Sequence, residues 1–432
     1  MQPRLVLGLV CVATFLVYLD TSITPVALPA IRADVGGGAS AGQWLLDAYT
    51  LAFACLLLTA GSLGDRVGRK PVLLLGIAGF TAASVVAALA PDMAVLIAGR
   101  AAQGVFAAAA VPLSLAAITE LHPDPAARAR AIGVWGGAAG VALALGPLLG
   151  GVLVEFAGWR SMFWLNVPLG VLALVGLALR MPGAPAPGGR RADWLGQVLF
   201  VLGASAVTFA LIEGEAVAWV GLLALLAFGW WENRVAAPML PPALLRIPAV
   251  AVACVVNFLG LFGLYGVLLL VTTHLQHVVG LSPLATGLRF LTLFGFLAVA
   301  AVGASAVVAR LGTRRTMVVG LCCVAAGLAG LGLLDLGVGY WGYAWALVLL
   351  GIGVPLSSGV VAIQAMMGAV PAGSTGTASG AMNTFRQFGA VVGVAVAGIL
   401  SPEGSAMAVT FLVAAACAAA AAVLTRVVLS PA

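Results

Sequence analysis

Apolar runs long enough to cross a bilayer as helices follow one another from end to end of this sequence, separated by short stretches where Arg, Pro and Gly collect. About 20 predominantly apolar residues span the hydrocarbon layer. Such runs fall at roughly 5–30, 43–63, 71–90, 93–119, 128–154, 160–180, 194–212 and 216–231, then at 248–273, 283–308, 316–334, 340–368, 374–400 and 405–429. That makes fourteen, the eighth being the shortest. Only 8% of the residues are charged and the mean hydropathy is +1.17, whereas soluble domains carry about 25% charge. Soluble enzymes, nucleic-acid binders and disordered chains are excluded together. Unbroken runs, as opposed to alternating ones, also exclude a transmembrane β-barrel. The expected fold class is an all-α polytopic membrane protein.

Arg4 ahead of an apolar run has the look of a signal peptide, but the run continues past Asp20 towards Pro29, so a retained first helix is expected. Cys11, Cys55, Cys254, Cys322, Cys323 and Cys417 all lie inside apolar stretches without metal-ligand spacing and read as small buried hydrophobes.

Charge placement tests the count. With a cytoplasmic N-terminus, the inner segments hold fifteen of the twenty basic residues: Arg4, Arg66, Arg69, Lys70, Arg128, Arg130, Arg180, Arg190, Arg191, Arg234, Arg246, Arg310, Arg314, Arg315 and Arg426. The outer segments hold only Arg32 and Arg160, which is the positive-inside bias that sets orientation. Arg190 and Arg191 precede the seventh and eighth runs and Arg234 and Arg246 follow them, so that stretch crosses twice or not at all, with Glu213 and Glu215 at its tip.

An internal repeat supports the same layout. DRVGRKPVLLLG at 65–76 aligns with ARLGTRRTMVVG at 309–320, placing Arg66 on Arg310, Gly68 on Gly312, Lys70 on Arg314 and Gly76 on Gly320. The shift maps the third run onto the eleventh. Runs 1–6 thus correspond to runs 9–14, and runs 7–8 are an inserted pair. Two six-helix halves in parallel repeat are a transporter architecture, with the substrate site expected between them near mid-membrane. The expected domains are 1–182, a six-helix bundle; 183–246, a linker around Pro182 to Gly189 plus the inserted pair; and 247–432, a second six-helix bundle.

Charges at membrane depth each cost about 2.5–3.5 kcal/mol on insertion scales. Asp20 and Asp47 are the two carboxylates within the runs, and Arg100, Arg289 and Arg386 the basic residues set in from the run ends. Apolar surroundings favour a neutral acid and a nearby guanidinium favours the carboxylate. A group alternating between the two loads and releases a proton. For Asp20 the other reading is a permanent structural ion pair, and for Asp47 a shallow acid that reaches water. Arg100 divides between coupling and locking the bundle. Tyr49, Gln103, Asn257, Tyr265, Asn383 and Arg386 are candidates to line a substrate cavity; the small residues around Arg386 read equally as a packing device.

His122, His274 and His277 read as interfacial residues, with no metal site. No GxxxxGK[ST] phosphate loop occurs, so uphill transport must draw on an ion gradient, and no cofactor is expected. High Ala, Gly, Val and Arg beside a single Lys point to a GC-rich bacterial genome.

Gly61-Ser-Leu-Gly-Asp65-Arg66-Val-Gly68-Arg69-Lys70 resembles the loop 2–3 signature of the major facilitator superfamily. Arg100-Ala-Ala-Gln103-Gly104 is similar to its helix 4 signature. Ala142-Leu-Ala-Leu-Gly146-Pro147-Leu-Leu-Gly150-Gly151 is similar to the helix 5 antiporter signature, with Ala142 where Gly is usual. Leu19-Asp20-Thr21, Ala27-Leu28-Pro29, Trp44-Leu-Leu-Asp47-Ala-Tyr49, Gly158-Trp159-Arg160, Asn166-Val-Pro168-Leu-Gly170, Asp193-Trp194-Leu-Gly196 and Asn383-Thr-Phe-Arg386-Gln387 resemble the fourteen-helix drug:proton antiporters, in their quaternary-ammonium and multidrug efflux branch.

The resemblance implies a multi-pass protein of the bacterial inner membrane, monomeric, with both termini cytoplasmic. It implies proton-driven export of hydrophobic, cationic or neutral compounds, its partners being that cargo, protons and the bilayer. It associates Asp20 and Asp47 with cation recognition or protonation, Arg100 with proton coupling, and Asp65 and Arg66 with a conformational latch. The second half carries no acid inside its runs, which favours a monocationic, neutral or lipid-like cargo over a dication. A dedicated exporter of a lipid or a single native metabolite is the alternative on the same fold. Physically, the Gly- and Ala-rich fifth run, with Pro147, can approach the opposing half closely and kink. Asp65 at a helix end can bond free backbone N–H groups while the basic residues anchor the turn at the inner surface.

Overall fold

The computed structural model describes residues 3–183, 193–214, 217–334, 339–367, 369–370, 375–399 and 405–429. Its first six helices are α1 (Pro3–Val35), α2 (Ala39–Val67), α3 (Arg69–Ala88), α4 (Met93–Leu121), α5 (Pro125–Ala157) and α6 (Arg160–Arg180). Then come α7 (Trp194–Glu213), α8 (Ala218–Glu232), the one-turn α9 (Pro242–Leu245) and α10 (Pro248–Thr273), which runs into a π turn at His274–Val278. The last six are α11 (Pro283–Leu311), α12 (Thr313–Leu333), α13 (Tyr340–Ser357), α14 (Val360–Met367), α15 (Thr375–Ile399) and α16 (Ser405–Val428).

Each of the fourteen apolar runs carries a helix, and 340–368 carries two. Among the described residues, twelve helical runs are long and apolar enough to cross a membrane. The other two fall short for physical reasons. α8 has 15 residues, and α15 carries Asn383, Arg386 and Gln387, which lower its hydropathy. Most of the predicted linker, with Arg190, Arg191 and also Glu215, lies outside the described residues. Lipid as the solvent explains the outer surface, where Trp341 is 85% and Val302 84% exposed.

By its contacts the chain forms two compact units, Met1–Val201 and Leu202–Ala432, divided within α7. In the first, α1 packs on α5 and α6, α2 on α4, and α3 on α4 and α6. In the second, α10 packs on α15 and α16, α11 on α13, and α12 on α13 and α16. These are the same pairings, shifted by the repeat. Its glycines explain why the spacing recurs. Gly68 and Gly312 end α2 and α11 at φ 111° and 79°, where a side chain would be strained. One step on, a Cβ at Gly76 would lie 3.0 Å from the Ala110 nitrogen of α4, and one at Gly320 2.6 Å from the Ser357 nitrogen of α13.

Gly146 and Gly150 of α5 make their close approach to α1 of their own bundle. A Cβ at Gly146 would meet Ser22 Oγ at 1.9 Å, and one at Gly150 would meet Ile23 Cγ1 at 3.0 Å. Within this bundle the face of α5 that carries Gly146 and Gly150 is taken up by α1, and Pro147 lies inside the helix beside Gly146. Gly389 and Gly393 do the same for α15 against the Phe258 and Phe262 carbonyls of α10.

One helix is cut at membrane depth. α13 ends at Ser357, Gly359 adopts φ 59°, and α14 starts at Val360. Here Asn257 of α10 accepts the Gly359 N–H at 3.0 Å while donating to the Ala253 carbonyl at 2.8 Å. Its amide thus satisfies a backbone donor that hydrocarbon would leave unpaired.

Candidate functional site

The first bundle holds a closed polar cluster contributed by five helices. α1 brings Asp20, α2 Tyr49, α3 Ser84, α4 Arg100 and Gln103, and α6 Asn166, none more than 1% exposed. Arg100 Nη1 forms a salt bridge to Asp20 Oδ2 and donates to Gln103 Oε1 at 2.8 Å. Its Nε donates to the Leu45 carbonyl at 3.3 Å, and its Cζ lies 4.3 Å from the centre of the Tyr49 ring. The second oxygen of the acid, Asp20 Oδ1, accepts from Asn166 Nδ2 at 2.9 Å and from Gln103 Nε2 at 3.2 Å. Ser84 Oγ accepts from Gln103 Nε2 at 2.8 Å and donates to the Phe80 carbonyl at 2.8 Å.

Glycines bring these side chains within reach. Gly104 follows Gln103, and a Cβ there would lie 2.2 Å from the Tyr49 carbonyl, so α4 closes on α2 and the Tyr49 ring covers Arg100. One turn after Asn166, a Cβ at Gly170 would lie 2.1 Å from Thr81 Oγ1, so α6 closes on α3 and Asn166 reaches Ser84. A buried pair of this kind keeps its charges only with such additional hydrogen bonds.

Asp47 lies outside this network. It is fully buried on α2 and accepts from Thr50 Oγ1 at 3.4 Å, but its Oδ2 meets no hydrogen-bond partner among the described residues. The Oε1 of Gln43, one turn earlier and also buried, meets none either.

At the α2–α3 turn, Arg69 pairs with Asp65 at 3.2 Å and with Glu120 of α4 at 3.5 Å. Lys70 donates to the Ala178 and Met181 carbonyls at 2.9 and 2.6 Å and so closes the C-terminal end of α6. Arg66 is exposed and Gly61 has open space beside it. At the other end of the bundle, Asp34 accepts from Trp159 Nε1 at 2.9 Å and pairs with Arg160, whose Nη2 reaches the Ala90 carbonyl at 3.2 Å.

The sequence-predicted residues therefore separate. Asp20, Arg100, Gln103 and Tyr49 come together, and Asp47 stands apart. Tyr49 and Gln103 pack inside the bundle, where the Tyr49 hydroxyl donates to the Val17 carbonyl at 3.0 Å. Asn257 pins the α13–α14 break. Tyr265 is buried, while Asn383 and Arg386 are half-buried on α15. A small cleft in the second unit is lined by Phe262, Gly266, Leu328, Gly393 and Phe411, among others, and by none of the predicted cavity residues. Sequence reasoning missed Ser84 and Asn166 as members of the cluster. The available signal was Asn166 one helical turn before Gly170.

Residues 10–394 match the profile of the Major Facilitator Superfamily. The chain is 35% identical over 398 residues to the multidrug resistance protein Stp of Mycobacterium tuberculosis (strain CDC 1551 / Oshkosh), covering 89% of this chain and 73% of that one. It is 36% identical over 428 residues to the puromycin resistance protein pur8 of Streptomyces alboniger, covering 94% and 83%. Among solved structures, a mutant of the peptide transporter POT in complex with sulfate superposes with a TM-score of 0.74 at 14% identity, over 98% of this chain and 93% of that one.

Proposed function

The chain belongs to the major facilitator superfamily, as a multi-pass membrane transporter, and on that premise we propose that it is a proton-coupled antiporter exporting hydrophobic, cationic or neutral small molecules by alternating access. The observation that carries the reading is the Asp20–Arg100 pair, sealed at 1% exposure inside the first bundle. A carboxylate at that depth exchanges its guanidinium partner for a proton when helices move, and the exchange ties proton binding to conformation. Asp47, with one oxygen unpartnered among the described residues, is the second group that can take a proton or the charge of a cationic cargo. Asp65, Arg66 and Arg69 act as a latch between α2, α3 and α4, supported by the Arg69 pairs to Asp65 and Glu120.

In this reading all fourteen runs cross, α8 and α15 included, which places the protein in the fourteen-helix branch. The six-helix bundles are 1–182 and 247–432, with 183–246 inserted. The excess of basic residues in alternate loops supports cytoplasmic termini in a bacterial inner membrane. We read the transporting unit as a monomer. Tyr265, Asn383 and Arg386 remain its candidates for contact with cargo.

Each charge crossing about 100 mV gains about 2.3 kcal/mol. One proton moving in against a neutral solute therefore holds a gradient of roughly fiftyfold from voltage alone. One proton against one monocation is electrically silent and draws only on the pH difference. Stp is named for multidrug resistance and pur8 for puromycin alone, and the latter favours a dedicated exporter as the second reading. A pH jump on proteoliposomes holding the full chain, with ethidium, a set of further dyes and puromycin as cargo, tests both. Gradient-driven movement of many dyes supports the multidrug reading and movement of puromycin alone the dedicated one. Movement indifferent to the proton gradient refutes antiport. Asp20→Asn is expected to abolish gradient-driven movement in protein that still inserts.

A further inference from the structure

We infer that Asn166 of α6, oriented by Ser84, is a positioning residue that stabilises Asp20 of α1 as a carboxylate. The inference rests on the reading of Asp20 as the coupling acid and names a group that holds its charge. It follows from counting donors and acceptors. The Asp20 carboxyl has three partners, Arg100 Nη1, Gln103 Nε2 and Asn166 Nδ2, and every one of them donates.

Ser84 settles which way the amides face. Its single hydroxyl hydrogen goes to the Phe80 carbonyl at 2.8 Å, so its oxygen can only accept from Gln103 at 2.8 Å and Asn166 at 3.4 Å. While Asp20 is a carboxylate, turning the Asn166 amide over would set its oxygen against both Asp20 Oδ1 and Ser84 Oγ, neither of which then has a hydrogen to give. The Gln103 amide is fixed likewise, because its oxygen accepts from Arg100 at 2.8 Å. With the amides in these orientations, a hydroxyl formed on Asp20 finds an acceptor only after the Asn166 amide turns over, and its oxygen then faces Ser84 Oγ, whose hydrogen is held by the Phe80 carbonyl. The cluster as built is complete for the charged acid and frustrated for the neutral one.

The backbone makes this a device between helices. Gly170 and Thr81 lock α6 onto α3, so Ser84 and Asn166 belong to one fixed pair, whereas Asp20 arrives on α1. The bond from Asn166 to Asp20 is thus a joint between α1 and that pair. The groups facing Asp20 from the elements packed on α1 are few. Arg100 comes from α4, Tyr49 of α2 covers that guanidinium, and Asp47 of α2 bonds only Thr50. α5 offers the Ala142 carbonyl to Ser22, and the Asp34–Arg160 pair closes the far end of α1 on α6.

The test is infrared difference spectroscopy of the full-length chain in phosphatidylcholine–phosphatidylglycerol liposomes, titrated with pH. The carboxylic C=O band of Asp20 is assigned by its loss in Asp20→Asn. Asn166→Leu keeps the branching at Cγ and removes the donor, and should raise the midpoint by about one to two pH units, the size of a lost hydrogen bond to a charge. Ser84→Ala releases the amide and should raise it by a smaller amount. Val86→Ala, on the exposed face of α3, should leave it unmoved. A wild-type midpoint in folded Asn166→Leu overturns the inference, as does an Asp20 band that titrates in neither protein. If Asn166→Leu fails to fold, an unmoved midpoint in Ser84→Ala overturns it. Ethidium movement in the same liposomes separates the two readings. A shifted titration with movement indifferent to the proton gradient defeats antiport alone, and proton-driven movement with an unshifted titration defeats the clamp alone.

Discussion

Removing Arg100 should be far more damaging than removing its partner as well. Arg100→Leu takes away the bonds to Asp20, Gln103 and the Leu45 carbonyl, and leaves a carboxylate 1% exposed with no cation beside it. Loss of one member of a buried pair costs about 3–5 kcal/mol, because the stranded charge has no water to return to. In Arg100→Leu/Asp20→Asn no charge is stranded. An amide at position 20 keeps an oxygen for the Asn166 and Gln103 donors, and only neutral hydrogen bonds are lost, at about 1–2 kcal/mol. The double variant should therefore recover roughly 2 kcal/mol relative to Arg100→Leu. In a bundle of about 200 residues each kcal/mol moves the unfolding midpoint by about 2–4 °C, so the recovery should be roughly 4–8 °C. Thermal unfolding of the four proteins in one detergent, followed by tryptophan emission, gives the complete cycle. A double variant that melts no higher than Arg100→Leu refutes the claim that the cluster is held by a charge pair.

Three further outcomes follow from the geometry. Gly104→Ala should cost about 1–3 kcal/mol and abolish transport, since its methyl falls 2.2 Å from the Tyr49 carbonyl; melting and a transport assay check both. Gly170→Ala should destabilise through Thr81 Oγ1, 2.1 Å from the new methyl, and Thr81→Ala in the same chain should restore most of the loss, because the Thr81 Cβ is 3.2 Å away. Asn257→Leu should cost about 1–3 kcal/mol by stranding the Gly359 N–H, seen as faster hydrogen exchange at that amide.

Much of the layout was legible because lipid imposes it. Hydrophobic length marks the helices, and the basic turns after Gly68 and Gly312 reveal the repeat. Asp20 and Arg100 stood out because charge at depth is costly. Their neutral partners did not. Ser84 and Asn166 are 82 residues apart and meet only because Thr81 and Gly170 close α3 on α6, and no periodicity within either helix announces which face another will cover. Tyr49, Gln103 and Asn257 were read as cavity lining because a polar residue at depth has two uses, contact with a ligand or satisfaction of the protein's own groups. The hydrogen bonds of these three go to the protein's own groups. The cut between α13 and α14 escaped notice because apolar residues continue on both sides of Ser357, Ser358 and Gly359.

That cut separates the histories of the duplicated halves. Shifted back by the repeat, Ser358 falls on Ser114, which shares a 3.2 Å hydrogen bond with Thr14 in a helix that continues unbroken, and Asn257 falls on Ala13. Position 13 is thus open to neutral drift among small side chains, while position 257 is bound to the fate of Gly359. Losing the asparagine without fusing the two rods leaves the Gly359 N–H unpaired, so the two features should tend to be kept or lost together.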